Sequence, residues 1–237
     1  VTGAPTGTGG NGVAEFDPGR VAGGGFDSLT LQADDEILFA TDTVLGVRNR
    51  LALETPNLRA GDIGSVSLAA NHLALGPRLP ASAAPAAAAA GPARLRADAG
   101  LIEVFGRSSL PGFGDTVLAA RTDIRATGLP VSAGTSLPGS LSAAGRLELA
   151  AAQVYPTTFS DFRVDVTGAG ATPGVLAITG NGATPGAVLS AAGKLRLAAD
   201  EIVQAGAIRA PLGQVEFIAR DSLTLAAGSL TSVSAAG

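Results

Sequence analysis

The feature that most constrains this chain is a short unit of an apolar residue, any residue and a second apolar residue, which recurs along the sequence. Its instances are Leu29–Leu31, Leu51–Leu53, Val66–Leu68, Leu73–Leu75, Ile102–Val104, Leu147–Leu149, Val164–Val166, Leu176–Ile178, Leu195–Leu197, Val215–Phe217 and Leu223–Leu225. A period of two places both apolar side chains on one face of a strand and the middle residue on the other. The sequence therefore predicts many short, half-buried β-strands.

The units recur at a nearly regular spacing in the C-terminal third of the chain. Leu195 and Val215 are 20 residues apart, and so are Val203 and Leu223. A period near twenty, with about three short strands in each repeat, is typical of a solenoid of stacked coils. We therefore expect an all-β parallel β-helix with coils of about 20 residues.

Composition agrees with a narrow interior and excludes several kinds of site. Aromatic residues are only 4% of the chain, and Trp is absent. The formal net charge of -4 gives no basic surface for nucleic acid. Without Cys, and with His72 as its one histidine, the chain offers neither disulfides nor a thiolate or histidine-cluster metal site.

Two regions depart from the repeat. Residues 1–26 are Gly-rich and predict an irregular edge or loop, and the Ala/Pro-rich residues 78–94 predict a loop insertion thrown out of one coil. Residues 27–77 and 95–237 then form the coils of one continuous solenoid domain. Pro and Gly interrupt the Ala-rich tract too often for a transmembrane segment. Because Met is absent, we expect an internal piece of a longer polypeptide.

Two segments almost repeat each other 48 residues apart: Leu141–Val154 reads LSAAGRLELAAAQV, and Leu189–Val203 reads LSAAGKLRLAADEIV. In the second copy, the leucines of Lys194–Leu197 are expected to point inward and its basic residues to face water. Asp200 and Glu201 are expected to mark the following corner. The repetition therefore predicts two equivalent coil walls.

The segments Leu141–Val166, Leu189–Phe217 and Asp221–Gly237 resemble the repeat region of filamentous haemagglutinin-type large exoproteins of Gram-negative bacteria. The resemblance implies a right-handed parallel β-helix shaft, secreted through a two-partner outer-membrane transporter and carrying adhesive regions on the cell surface. The secretion domain of that family has NPNL-type motifs, whereas the nearest match here is the ETPNL of Glu54–Leu58. The resemblance thus points to shaft rather than to the secretion domain.

Motifs for ligands fail on inspection. Gly7–Gly12 matches GxGxxG but follows no strand and opens no helix, and the calcium-repeat pattern needs an acid where Ala14 stands. Gly193-Lys194 is followed by Leu195, so the phosphate-binding P-loop pattern is not met. We predict no catalytic, cofactor-binding or metal-binding residue.

Three groups of side chains carry a weaker signal. The acids Asp34, Asp35, Glu36, Asp200 and Glu201 are interpreted as solvated turn residues at matching places in the repeat. His72 lacks a GxSxG partner and is interpreted as a surface or turn histidine. Tyr155, Phe159, Phe162 and Arg163 form an aromatic group that either stacks on sugar rings or a partner, or packs down over the shaft.

These observations favour a structural and adhesive segment, not an enzyme, on the bacterial surface or secreted from the cell. The implied partners are the outer-membrane transporter and an unidentified protein or glycan on a host or neighbouring cell. Three alternatives stay open: a β-helical polysaccharide-degrading enzyme, a leucine-rich-repeat module and a toxin-delivery shaft. Three or more charged side chains from different coils in one exposed groove would favour the enzyme, and a band of helices would favour the leucine-rich repeat.

Overall fold

Alternating apolar residues form strands along most of the chain, as a computed structural model describes it for residue 12 and residues 14–78, 85–130 and 137–235. Within these residues the elements are α1 (Gly19–Gly24), β1 (Ser28–Gln32), β2 (Glu36–Phe39), β3 (Thr43–Gly46), β4 (Arg50–Glu54), β5 (Asn57–Ala60), β6 (Ser65–Leu75), β7 (Ala93–Phe105), β8 (Arg107–Ser109), β9 (Phe113–Ala120), β10 (Asp123–Thr127), β11 (Leu137–Ala144), β12 (Arg146–Ala151), β13 (Gln153–Pro156), β14 (Ser160–Thr167), β15 (Val175–Gly180), β16 (Lys194–Ala205), β17 (Ala207–Arg209), β18 (Gln214–Leu225) and β19 (Leu230–Ser232). The prediction of an all-β chain is confirmed.

The strands belong to one long sheet, and the named strands pair in parallel. One row of directly paired residues runs from Leu29 through Leu51 and Leu73 to Ile102 and Ile124. Every named strand pair joins segments that are distant in sequence. Each strand therefore pairs with strands from well before or well after it in the chain.

The inward residues of the sheet make one continuous core of Leu, Val, Ile and Ala. Phe113 and Phe162 are fully buried within it, and the rings of Phe39 and Phe113 meet edge to face with their centroids 6.3 Å apart. The predicted apolar pairs are buried from β4 to β16, whereas Val215 and Phe217 in β18 are half-buried and Leu223 and Leu225 are exposed. The alternation thus predicted the inward face correctly as far as β16.

The distance along the chain between paired residues varies. Leu195 pairs with Val215 in the register that their spacing predicts. Val203 pairs with Thr224 rather than Leu223, because β18 holds two residues opposite the single Asp200 at a bulge. Elsewhere the offset is larger, as it is between Phe162 and Leu195.

Two of the described segments outside the sheet are long, and strands that precede and follow each of them pair directly. Residues 85–92 hold no strand, and Asn57 of β5 pairs with Ser109 of β8. The remainder of the predicted insertion, residues 79–84, lies outside the described residues. Residues 181–193 likewise hold no strand, and Val154 of β13 pairs with Ile208 of β17. The sequence did not predict this second departure.

A buried amide lies beneath each departing segment. The side chain of Asn57 accepts a bond from the Ala86 amide at 2.7 Å and donates one to the Asp35 carbonyl at 2.9 Å. The buried Gln153 donates to the carbonyl of Gly186 at 3.1 Å. Because buried amide groups need partners, these two side chains fix where the departing segments lie against the sheet.

The N-terminal segment predicted to be irregular includes α1, which the sequence did not predict. Val21 of α1 is buried and belongs to the same core as Leu45 of β3. The left-handed Gly25, at φ 64°, follows the helix directly. Residues 1–11 and Val13 lie outside the described residues.

Candidate functional surface

One group of ionisable and polar side chains lies on the outward face of four successively paired strands, β6, β7, β10 and β13. We name this group the polar ladder; its members are His72, Glu103, Asp123, Arg125, Gln153 and Tyr155. Each member is next to an inward residue such as Leu73, Ile102, Ile124 or Val154, so alternation turns it outward. The parallel register then brings the members side by side.

One half of the polar ladder is a chain of charged groups. His72 Nε2 lies 2.8 Å from Glu103 Oε2, and Glu103 Oε1 lies 3.6 Å from an Arg125 nitrogen. The same guanidinium is 3.7 Å from Asp123 Oδ2. The carboxylates of neighbouring strands are therefore bridged by the guanidinium of Arg125, which offsets their mutual repulsion.

The other half is buried and organised around Asp123. Tyr155 Oη donates to Asp123 Oδ2 at 3.3 Å, and Gln153 Nε2 donates to Asp123 Oδ1 at 3.1 Å. Arg125 lies over the Tyr155 ring, 5.7 Å from its centroid. Burial, followed by the nearby Asp123 charge, raises the pKa of Tyr155, so this hydroxyl stays a hydrogen-bond donor at neutral pH.

The geometry of the polar ladder favours a structural role, in which the network fixes the register of the strands, over a catalytic role. Acid-base catalysis needs a carboxyl group free to meet a substrate, whereas Glu103 and Asp123 each face a protein donor or cation. Gln153 Oε1 and Arg125 Nε are the atoms of the ladder that are buried without a partner among the described residues. The polar ladder brings charged side chains of different strands together, as an enzyme's groove would. These side chains neutralise one another on a strand face.

A second charged network, the arginine-carboxylate row, spans β14, β16 and β18; its members are Asp161, Arg163, Asp165, Arg196, Asp200, Glu216 and Arg220. Arg196 contacts Asp161 at 2.7 Å on one side and Glu216 at 3.0 Å on the other. Asp161, Arg196 and Glu216 thus alternate in sign across three paired strands, although Arg163 lies directly opposite Arg196.

Asp200 is more than a solvated turn residue. Its carboxylate accepts bonds from the Gly174 amide at 2.6 Å and from Arg220 Nε at 2.5 Å. The Gly174 amide, together with Arg220, lowers the pKa of Asp200 below its usual range. Arg220 also donates to the Val166 carbonyl at 2.9 Å, so this corner is bonded to three different strands or loops.

The interpretation that the two acidic groups occupy matching places is wrong. Asp34 and Asp35 lie between the separate strands β1 and β2, whereas Asp200 lies at the bulge inside β16. Glu36 is the first residue of β2 and contacts Arg59 of β5 at 2.5 Å. The similarity of short acidic runs did not distinguish two different corners of the sheet.

The aromatic group does not stay together. Phe162 is fully buried in the core, Tyr155 is buried in the polar ladder, and Phe159 is exposed with a left-handed φ of 57°. Arg163 is held by Asp165 of its own strand at 2.8 Å. The interpretation that the rings pack down over the shaft is confirmed for Tyr155 and Phe162, whereas Phe159 is exposed, so the three rings share no stacking surface.

His72 lies in a strand rather than a turn, and its partner was missed. Glu103 is 31 residues further along the chain, beyond the Ala/Pro-rich segment, and the expected coil length would not have aligned the two. The usable signal was the charged middle residue of the unit Ile102–Val104. That residue predicts an outward charge but not its neighbour.

Where the remaining candidates are among the described residues, they form no ligand site. Of Gly7–Gly12, only Gly12 is among the described residues, and Lys194 is an exposed residue at the start of β16. The described residues contain no group of three or more His, Cys, Asp or Glu side chains able to hold a metal ion. A shallow depression lies near Asp42 and Asp62. Asp42 already accepts the amides of Gly64 and Ser65.

No helix in the described residues has the length and apolar character needed to cross a bilayer. Comparison with known proteins found no matching family model, curated protein or solved structure.

Proposed function

We propose that this chain is a structural and adhesive shaft segment of a secreted bacterial surface exoprotein, folded as a right-handed parallel β-helix. The observation that carries the proposal is the parallel pairing of the named strands around an apolar core, with α1 at one end as the one helix of the described residues. Parallel sheets normally need both faces covered, usually by helices. A sheet that winds around its own apolar face meets that need without helices.

The coils of this β-helix are unequal. The offset between directly paired residues is shorter for Leu195 and Val215 than for Phe162 and Leu195. A solenoid tolerates such variation because each coil needs only matching walls, while the corners absorb the additional residues.

The length of the shaft follows from one row of paired residues. The row from Leu29 to Ile124 continues through Val154 and Ile208 to Thr231, which makes eight stacked positions. With neighbouring strands spaced by about 4.8 Å, the stack is about 34 Å long.

The two charged networks suit a load-bearing shaft. The polar ladder and the arginine-carboxylate row join side chains of neighbouring strands. In the polar ladder, a two-residue shift of register would place Asp123 instead of Arg125 opposite Glu103 and so bring like charges together. The sequence resemblance supports secretion through an outer-membrane transporter and adhesion to a host or neighbouring cell. The exposed Leu189, on the segment that leaves the sheet, is the apolar side chain best available to such a partner.

The enzyme alternative has one observation in its favour, the presence of His72, Glu103 and Asp123 on one face. The mutual pairing of these groups supports the structural role instead. A screen of the purified chain for release of reducing or unsaturated sugars from plant and bacterial polysaccharides separates the two. Activity lost on substitution of Glu103→Gln would replace the structural proposal with the enzymatic one.

The β-helix itself is tested with single cysteines, because the natural chain has none. Leu51→Cys, Leu147→Cys and Leu197→Cys should react with a thiol reagent far more slowly than Ser67→Cys and Ser140→Cys, which lie on the outward face. Equal rates in folded protein would exclude a sheet wound around its own core.

Adhesion is tested separately with beads coated with the purified chain and presented to epithelial cells and to bacteria. We expect binding above that of beads coated with albumin, and its reduction by Leu189→Ser with unchanged circular dichroism. Absence of binding to both cell types would remove the adhesive half of the proposal and leave the shaft.

A further inference from the structure

Three turns of the chain have the same unusual backbone. Among the described residues, those other than glycine with a left-handed φ are Phe159, Ala192 and Leu212, at 57°, 58° and 55°. They lie just before β14, β16 and β18, which pair side by side. The Phe159 amide donates to the Ala191 carbonyl at 3.2 Å, and the Ala192 amide donates to the Pro211 carbonyl at 2.9 Å. The three turns therefore stack on one another, and we name them the left-handed corner.

Two members of the left-handed corner carry large apolar side chains that face solvent. Phe159 is 57% exposed and Leu212 is 69% exposed, while Ala192 between them is half-buried. The next stretch of chain already stacks on this corner, because the Leu212 amide donates to the Val233 carbonyl at 3.0 Å. A left-handed φ costs free energy for a residue with a Cβ, and glycine would avoid that cost. Exposed apolar side chains on such a backbone are typical of a surface that contacts a partner.

A column of polar side chains runs beside the left-handed corner. Asp161, Lys194 and Gln214 pair directly at the start of β14, β16 and β18, and Lys194 and Gln214 are exposed. Arg196 contacts both Asp161 and Glu216, so the two cations and two carboxylates of this surface balance. An apolar platform suits the C–H face of a sugar ring, and the exposed polar groups suit its hydroxyls. The balance of charge favours an uncharged ligand.

We propose that the left-handed corner and its polar column bind an extended, uncharged, β-linked glycan that runs across β14, β16 and β18. This proposal rests on the adhesive function proposed above, and it names the site and the class of ligand. Phe159 and Leu212 are two strand spacings apart, which is about 9.6 Å. A ring of such a glycan is about as long as one strand spacing and is turned over relative to its neighbours, so alternate rings present the same face. Phe159 and Leu212 then contact alternate rings, and the small Ala192 leaves room for the ring between them.

The test is isothermal titration of the purified chain with cellohexaose and chitohexaose. We expect one or both to bind, and the corresponding disaccharide to bind about tenfold more weakly because it cannot reach both apolar side chains. Absence of binding to both hexasaccharides overturns the proposal. Equal binding of maltohexaose, whose α-linked chain coils, also overturns it, and so does binding of heparin alone, which would indicate an ionic site.

The same titration separates this proposal from the adhesive function. Coated beads that attach to cells, while neither hexasaccharide binds the chain, would overturn the glycan site and leave adhesion in place. Glycan binding by a chain whose beads attach to no cell would support the site and remove the adhesive half of the proposed function.

Substitution by glycine distinguishes a binding role from a structural one. Phe159→Gly should weaken glycan binding about tenfold and leave the midpoint of thermal unfolding unchanged or higher, because it removes the ring and the backbone strain together. Leu212→Gly should act in the same direction. Phe26→Ala removes a ring that is 48% exposed elsewhere on the chain and should leave binding unchanged. Unchanged binding by Phe159→Gly, or a lower midpoint, overturns the role of this ring as a binding platform.

Discussion

The segments Leu141–Val154 and Leu189–Val203 share nearly the same sequence but occupy different positions in the fold. In the first copy, LSAA forms the end of strand β11 and Gly145 follows it. In the second copy, LSAAG lies outside any strand. Leu147 is connected through Leu176 to Ile202, and not to Leu195, its equivalent in the second copy. Local sequence alone therefore determines neither whether LSAAG forms a strand nor which wall a strand joins, and pairing with neighbouring strands decides both.

The largest expected difference between the copies is at their first leucine. Leu141 is 2% exposed and Leu189 is 93% exposed. Leu141→Ala should lower the free energy of unfolding by about 3 kcal/mol, because it removes buried methyl groups and leaves a cavity. Leu189→Ala should change it by less than about 0.5 kcal/mol. Urea unfolding followed by circular dichroism measures both, and similar losses would mean that the second copy is also packed in the core.

The glycine of LSAAG gives the next largest difference. Gly145 has a left-handed φ of 74°, and a Cβ there would overlap the Gly114 carbonyl oxygen, so Gly145→Ala should cost about 3 kcal/mol. Gly193 has no left-handed φ, and a Cβ there would lie 2.7 Å from the Thr157 carbonyl oxygen. Gly193→Ala should therefore lower the free energy of unfolding by about 1 kcal/mol less than Gly145→Ala does. A larger loss from Gly193→Ala in thermal or urea unfolding would contradict this order.

Replacing the alanine before that glycine with glycine should change the free energy of unfolding in opposite directions in the two copies. Ala192 has a left-handed φ of 58°, and Ala192→Gly should raise the free energy of unfolding by about 0.5 kcal/mol after the higher entropy of the unfolded chain is included. Ala144 is buried in β11, and Ala144→Gly should lower the same quantity by about 1 kcal/mol. Two changes of the same sign in matched unfolding curves would show that the turns are equivalent after all.

The smallest expected difference concerns pH. Burial raises the pKa of Glu148, but bonds from Arg146 and Thr179 outweigh it and lower this pKa from 4.5. A lowered pKa in the folded chain stabilises it above the unfolded pKa, and this contribution is lost as pH falls through the folded value. Arg196, at the equivalent place in the second copy, cannot titrate in this range.

Glu148→Gln should therefore flatten the acid side of the curve of unfolding free energy against pH. Thr179→Val removes a 2.8 Å bond to Glu148 and should raise its titration midpoint, measured by NMR of the side-chain carboxyl. A midpoint at or above 4.5 in the natural chain would contradict a lowered pKa for Glu148.

The all-β class and the inward face could be predicted because alternation is a local property. Leu51, Leu147 and Leu197 were all expected inward, and all are buried. The register could not be predicted from one spacing, because the offset between Leu195 and Val215 does not hold for the pair of Phe162 and Leu195. Corner and loop lengths vary without changing the alternation, so the sequence carries little information about offset.

The polar ladder was beyond sequence reasoning for the same reason. His72 and Glu103 were both visible as polar residues in apolar strands, but their contact depends on an offset lengthened by the segment that leaves the sheet. Gln153 has no distinguishing feature in the sequence, and its side chain bonds to the carbonyl of Gly186, 33 residues further along the chain. Pairing of distant strands creates such contacts, and no local pattern encodes it.

The direct pairing of β5 with β8, and of β13 with β17, also bears on how this chain can change in length. In both places a stretch of chain is absent from the sheet, yet β6 pairs with β7 across the first segment, and β14 with β16 across the second, each in one constant register. Residues added or deleted there would alter the surface while leaving the stacking order intact. These two segments are therefore suitable insertion sites, at which a new binding module or an engineered tag can be added without moving the rest of the sheet.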